Sequence, residues 1–128
     1  MAEAPCRILL IDANETLLEE MRNTLTQIGY AVETTQFGYQ AIVLCRMIKF
    51  DLVVTDSLPA DNLTGFAITR ELRHLQATTP IVLMIPQKDE RDLESFKKFG
   101  FAAVLEKPFT LGELLAVVHE VLQRDMNN

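Results

Sequence analysis

Two aspartates and a lysine occupy positions from which carboxylate chemistry could be organised. Asp12 directly follows the apolar run Arg7 to Ile11, Asp56 follows Leu52 to Thr55, and Lys107 follows Ala103 to Glu106. If these runs are strands of one parallel sheet, the three side chains meet at the carboxyl edge of that sheet. Two carboxylates held side by side repel, and each favours its protonated form unless a cation compensates. Either Mg²⁺ or an ammonium group must do so. Lys107, followed by Pro108 and Phe109, could project over the edge and pair with Asp56, holding its carboxyl below the ordinary range. Taken singly, each residue has a plainer explanation, because an Asp after a strand often serves as a helix N-cap or turn residue and Lys-Pro is often only loop. Their joint placement at three strand ends favours chemistry.

The elements that must position these residues are read from apolar periodicity. Short apolar runs predict strands at Arg7 to Ile11, Ala31 to Thr35, Leu52 to Thr55, Ile81 to Ile85 and Ala103 to Glu106. The first, third and fourth are nearly continuous in Ile, Leu, Val and Met, as for strands covered on both faces. Between them the period becomes helical: Leu17, Met21, Leu25, Ile28; then Ala41, Leu44, Cys45, Ile48; then Ile68, Leu72, Leu75; and finally Leu111, Leu114, Leu115, Val118, Leu122. The fourth helix, around Leu93 and Phe96, has the weakest pattern. Gly29 and Gly100 stand where helices one and four should end, and Thr110 with Glu113 forms a capping box for helix five. The alternation predicts a single α/β domain over residues 1–128, a (βα)5 doubly wound, flavodoxin-like parallel sheet in the order 2-1-3-4-5, with a frayed tail at 125–128.

Composition bounds the function classes. The chain has 128 residues, and 12 Lys and Arg against 18 Asp and Glu leave a net charge of −6. That balance argues against nucleic-acid binding by this domain and against anionic membrane surfaces. Hydrophobic residues make up 48% and charged residues 23%, the composition of an ordinary soluble globular chain. No apolar stretch approaches the roughly 20 residues that span a bilayer, and no secretory signal is visible, so a cytoplasmic location is expected. Cys6 and Cys45 are isolated and read as structural thiols; His74 and His119 read as surface or helix-end residues. Neither a G-x-x-x-x-G-K-[ST] nor a G-x-G-x-x-G loop occurs, and no nucleophile with an adjacent base is evident. This disfavours a nucleotide-binding protein, a hydrolase or a flavin protein on the same framework.

From Ile8-Leu9-Leu10-Ile11-Asp12 through Asp51-Leu52-Val53-Val54-Thr55-Asp56 and Pro80-Ile81-Val82-Leu83-Met84 to Glu106-Lys107-Pro108-Phe109, the chain resembles the receiver domains of bacterial two-component response regulators. The resemblance implies a phosphoryl switch rather than an enzyme, with at most self-phosphorylation from a phosphodonor. Asp56 is the implied phosphoacceptor and Lys107 its charge partner. It also implies Mg²⁺ held by Asp12, Asp56 and the backbone carbonyl of Leu58. The implied partners are a sensor histidine kinase or phosphotransfer protein meeting the strand ends near helix one. A surface made by helix four, strand five and helix five is implied for a possible homodimer.

Four positions depart from that family. Ala13 replaces the second acidic residue after strand one, so Mg²⁺ binding is expected to be weak or absent. Ile85 and Pro86 replace a hydroxyl and a small residue whose N–H assists the phosphoryl group, and neither supplies a donor. Val104 stands where a switch aromatic is usual. In the loop after Asp56 proline comes early, at Pro59, and Asp61 offers a carboxylate by another route or a simple turn residue. The expected function is thus a receiver-domain module of a phosphorelay with an atypical pocket. The competing reading is a phosphorylation-independent pseudo-receiver acting as an interaction or dimerisation module.

Overall fold

The computed structural model describes residues 4–57, 59, 61, 63–86 and 90–126. Strands and helices alternate in chain order: β1 (Arg7–Ile11), α1 (Glu15–Ile28), β2 (Ala31–Thr35), α2 (Gly38–Met47), β3 (Leu52–Asp56), α3 (Gly65–Leu75), β4 (Ile81–Ile85), α4 (Glu90–Phe99), β5 (Ala103–Glu106) and α5 (Leu111–Met126). All strand pairs are parallel, and the order is β2-β1-β3-β4-β5. The expected topology is observed. β3 runs one residue further than the apolar run suggests, because Asp56 still pairs in register with Met84.

Strand alternation divides the core into two layers. On one face Ile8, Leu10, Leu52, Val54, Val82, Met84 and Leu105 pack with Leu18, Met21 and Leu25 of α1 and Leu114, Val118, Val121 and Leu122 of α5. On the other, Leu9, Ile11, Val53, Ile81, Leu83 and Ile85 meet Ala41 and Cys45 of α2, Ile68 and Leu72 of α3, and Phe50 and Phe101. Each fully buried side chain of this size contributes on the order of 2 kcal/mol. The α1 stripe is rotated from the expected one: Leu18 is buried while Ile28, next to the C-cap, is 56% exposed. Leu111, in the first turn of α5, is likewise exposed.

Helix ends follow local chemistry. Asn14 caps α1 by accepting from Leu17 N at 3.1 Å, and Thr64 caps α3 by accepting from Ala67 N at 3.1 Å. Gly29 and Gly100 adopt φ of 116° and 105°, the left-handed conformation that closes a helix. At α5 the Thr110 hydroxyl accepts from Glu113 N at 3.0 Å. The tail predicted to fray from Asp125 is instead helical through Met126, while residues 127 and 128 lie outside those described. Cys45 is buried, which pushes its thiol up to about 11, and Cys6 packs partly against the first core layer. His74 and His119 are exposed on helices.

Candidate functional site

The sheet register creates the site. Ile11 pairs with Thr55, so the next residues, Asp12 and Asp56, sit at the same level on neighbouring strands. Asp56 pairs with Met84 and Met84 with Leu105, so Lys107 stands two residues beyond that level on the edge strand, and its long side chain reaches back over the edge. The Lys107–Pro108 peptide is cis. Lys107 Nζ donates to Asp12 Oδ2 at 2.7 Å and to Asp56 Oδ1 at 3.3 Å. All three predicted residues therefore meet.

Backbone donors fix both carboxylates. Asn14 N donates to Asp12 Oδ1 at 2.8 Å, and Ser57 N donates to Asp56 Oδ1 at 3.0 Å. Asp12 is 1% exposed, whereas Asp56 keeps 13% of its side chain exposed at the edge. Glycine is required just beyond: a Cβ on Gly65 would lie 2.8 Å from Leu83 Cδ1 and 2.9 Å from the Asp56 carbonyl oxygen. The chain after Asp56 is thus pressed onto the phosphoacceptor candidate's own backbone, and Gly65 N donates to Ser57 O at 3.0 Å. Neither Ser57 N nor Gly65 carries a motif; the close approach is a tertiary effect.

The charge balance differs from the simple pair expected. Burial and then repulsion from Asp12 raise the Asp56 carboxyl above its usual range, and Lys107 with Ser57 N only partly offsets them. The expected depression of Asp56 is corrected, because one ammonium is shared between two carboxylates and lies nearer Asp12. Burial alone would lower Lys107, but the hydrogen bond and charge of Asp12, followed by those of Asp56, raise it overall.

Asp61 lies elsewhere. Its carboxylate accepts from Gly38 N and Tyr39 N at 2.9 Å each, at the start of α2. Desolvation pushes this carboxyl up, but the N–H groups of Tyr39, Gly38 and Leu63 and its own together bring it below the usual range. Asp61 is a long-range helix cap and does not supply a carboxylate to the Asp56 pocket. Leu58, whose carbonyl is implied as a metal ligand, falls outside the described residues.

Ile85 is buried in the second core layer and Val104 packs against the same layer. Pro86 lines an open cavity of about 510 Å³ with Leu17, Glu20, Lys107 and Phe109. Hence the hydrocarbon of Ile85 and the ring of Pro86 stand where donors were sought. Among the described residues, no group of three or more His, Cys, Asp or Glu converges on one point. Two carboxylates do converge, and Mg²⁺ takes one or two carboxylates with water in its remaining positions. Asp12 and Asp56 fit such an ion, in competition with the Lys107 ammonium.

A parallel sheet in this order, with two carboxylates and a lysine converging near the switch point between β1 and β3, is the arrangement expected of a receiver domain. The family model of the response regulator receiver domain matches residues 8–119, and the chain belongs to that family. It is similar to the response regulator MprA of Mycobacterium sp. (strain KMS), 32% identical over 120 residues that cover 94% of this chain and 52% of that protein. The transcription factor SKN7 of Candida albicans is 30% identical over 115 residues, 90% of this chain and 20% of that protein. The chain spans about half the length of the mycobacterial relative. Among solved structures, the non-phosphorylated HemR receiver domain of Leptospira biflexa is 30% identical, with a TM-score of 0.84 and coverage of 91% of this chain and 94% of that one. The chemotaxis protein CheY4 of Vibrio cholerae is 26% identical, with a TM-score of 0.84 and coverage of 92% and 99%. Receiver domains are signalling modules of two-component systems. Among the described residues no helix is long and apolar enough to cross a membrane.

Proposed function

We propose that this chain is the phosphoacceptor module of a phosphorelay and that Asp56 receives the phosphoryl group. The observation that carries this reading is the convergence of Asp12, Asp56 and Lys107, the last donating to both carboxylates. Asp56 Oδ1 is engaged by Ser57 N and Lys107, while Oδ2 accepts no hydrogen bond from the described residues, which leaves Oδ2 to attack phosphorus. The O–P bond forms as the N–P bond of a phosphohistidine, or the O–P bond of an acyl phosphate, breaks; the electron pair departs with the leaving group. Lys107 offsets the charge brought to the edge. Asp12 and Asp56 would hold Mg²⁺, whose chemistry is neutralisation of phosphoryl charge. With Ala13 contributing no carboxylate, that ion is held weakly.

A sensor histidine kinase or a phosphotransfer protein is the donor, and the α4, β5 and α5 face is the surface for self-association. The domain acts in the cytoplasm and is a switch, self-phosphorylating at most. One observation favours a second reading, a pseudo-receiver that works without phosphate: neither Ile85 nor Pro86 offers a donor to a phosphoryl oxygen. Incubation with acetyl phosphate and Mg²⁺, followed by intact mass and peptide mapping, separates the two. One phosphoryl group on Asp56, absent from Asp56→Asn, is expected; an unmodified chain selects the pseudo-receiver.

A further inference from the structure

Helix α2 begins without a cap of its own. Phe37 occupies the N-cap position and makes no side-chain hydrogen bond to the first turn, although the first N–H groups of any helix lack intrahelical acceptors. Asp61 fills this need from 23 residues away, its two oxygens accepting separately from Gly38 N and Tyr39 N. Leu63 adds an apolar contact: a Cβ on Gly38 would lie 3.0 Å from Leu63 Cβ. The start of α2 is therefore built partly from the segment that joins β3 to α3.

That segment is anchored at the Asp56 pocket by both ends. Ser57 N donates to Met84 O at 3.0 Å as well as to Asp56 Oδ1, and Gly65 N returns to Ser57 O. Asp61 stands between these anchors. A phosphoryl group on Asp56 brings oxygens that need donors, and Ile85 and Pro86 supply none. Among the described residues, Lys107 Nζ and the Ser57 N–H are the donors already placed on Asp56. Reorganisation around the new oxygens therefore falls on the segment that carries Asp61.

We propose that Asp61 transmits the state of the Asp56 pocket to helix α2, so that occupancy of the pocket loosens the first turn of α2. This rests on the reading of Asp56 as phosphoacceptor. A ligand shifts an equilibrium only through different interactions with its two states. Here the difference is the trade between donors drawn toward Asp56 and the carboxylate held at Gly38 and Tyr39. The coupling is reciprocal: weakening the cap alters the response of the pocket.

Backbone amide NMR with Mg²⁺, before and after addition of beryllofluoride, tests this in the parent chain, Asp61→Ala and Asp61→Asn. In the parent, the Ser57, Gly38 and Tyr39 resonances should all shift. In Asp61→Ala, Ser57 should still shift while the Gly38 and Tyr39 response falls severalfold. Asp61→Asn retains one acceptor oxygen and should give an intermediate response, which keeps the test available if the alanine variant fails to fold. A Ser57 response with unmoved Gly38 and Tyr39 in the parent overturns the coupling alone. Undiminished responses at Gly38 and Tyr39 in the variants also overturn it. A silent Ser57 overturns both the phosphoacceptor reading and the inference built on it.

Discussion

The ammonium of Lys107 lies 2.7 Å from Asp12 Oδ2, closer than its 3.3 Å approach to Asp56, so the lysine is held chiefly by the more deeply buried carboxylate. Lys107→Ala leaves two neighbouring carboxylates without a cation. The expected loss at neutral pH is about 3 kcal/mol, near the lower end for a broken buried pair because part of the lysine side chain is exposed. Lys107 has a raised folded-state pKa, so its contribution is complete below the unfolded lysine value and fades as pH rises through the folded one. The loss should also narrow in acid, where Asp56 with its raised carboxyl takes up a proton. Urea midpoints of parent and variant from pH 4 to 11 check this, and parallel profiles would show that the pairing adds nothing.

Asp56, although paired with Lys107, has the opposite linkage from a carboxylate whose pairing lowers its pKa. Its folded-state pKa is raised by burial and by Asp12, so the folded chain binds this proton more tightly than the unfolded chain does. Ionised Asp56 costs stability above its folded-state pKa, and the cost disappears as pH falls toward the unfolded value. Asp56→Asn should therefore stabilise the fold at pH 7, by on the order of 1 kcal/mol. That gain should shrink below about pH 4. Thermal unfolding at both pH values measures it; a destabilised Asn variant at neutral pH contradicts the charge balance described.

The five strands follow from their apolar runs because both faces of a parallel sheet are covered, leaving little room for polar interruption. The two aspartates follow for the same reason, since register aligns the ends of β1 and β3, whereas Lys107, two residues past that level on the edge strand, reaches them by the length of its side chain. Asp61 and Gln76 escape such reading. Gln76 Nε2 donates to the carbonyls of Cys45 and Ile48 at 2.7 Å each, joining the end of α3 to the end of α2, and a contact spanning about thirty residues has no periodic signature. The fourth helix reads weakly because its anchors are aromatic. Phe96 and Phe99 pack with Phe66 of α3 and with Phe101, at centroid distances from 4.8 to 6.4 Å. That cluster is tertiary rather than periodic. The raised Asp56 carboxyl was also hidden, since the number of charges sharing Lys107 depends on distances.

Gly65 gives a steric prediction. Because an added Cβ meets both Leu83 Cδ1 and the Asp56 carbonyl oxygen under 3.0 Å, Gly65→Ala must displace the backbone beside the phosphoacceptor candidate. The expected cost is about 1 to 3 kcal/mol, with slower labelling of Asp56 by acetyl phosphate. Denaturant unfolding and the rate of mass gain check the two effects. A variant as stable as the parent would mean that the loop yields at no cost.

Ala13 gives a test of the metal site. Ala13 is exposed beside the buried Asp12, and its carbonyl accepts from Gln36 Nε2 at 3.0 Å, which holds this loop against the one after β2. Ala13→Asp places a third carboxylate near Asp12 and Asp56 and should tighten Mg²⁺ by at least tenfold, since each added ligand charge strengthens a hard-cation site. Calorimetric titration at low ionic strength measures the change. Equal affinities in the two proteins would show that Ala13 is not what limits the site.

The last expectation concerns the route of the response. Val104 pairs in register with Leu83 and packs against the layer that contains Ile85 and Phe101; it cannot exchange an outward for an inward ring. Ile85 offers no hydroxyl to pull toward a phosphoryl oxygen, and Phe96 and Phe99 of α4 are held by the aromatic cluster. Since a bound group moves an equilibrium only by its differential contacts, beryllofluoride at Asp56 should leave α4 and β5 nearly unchanged. The response should be confined to the segment from Ser57 to Thr64 and the start of α2 that Asp61 caps. Backbone amide spectra with and without the mimic decide it. Large shifts at Phe96, Phe99 and Val104, comparable with those at Ser57, would establish that the β4–β5 side still switches.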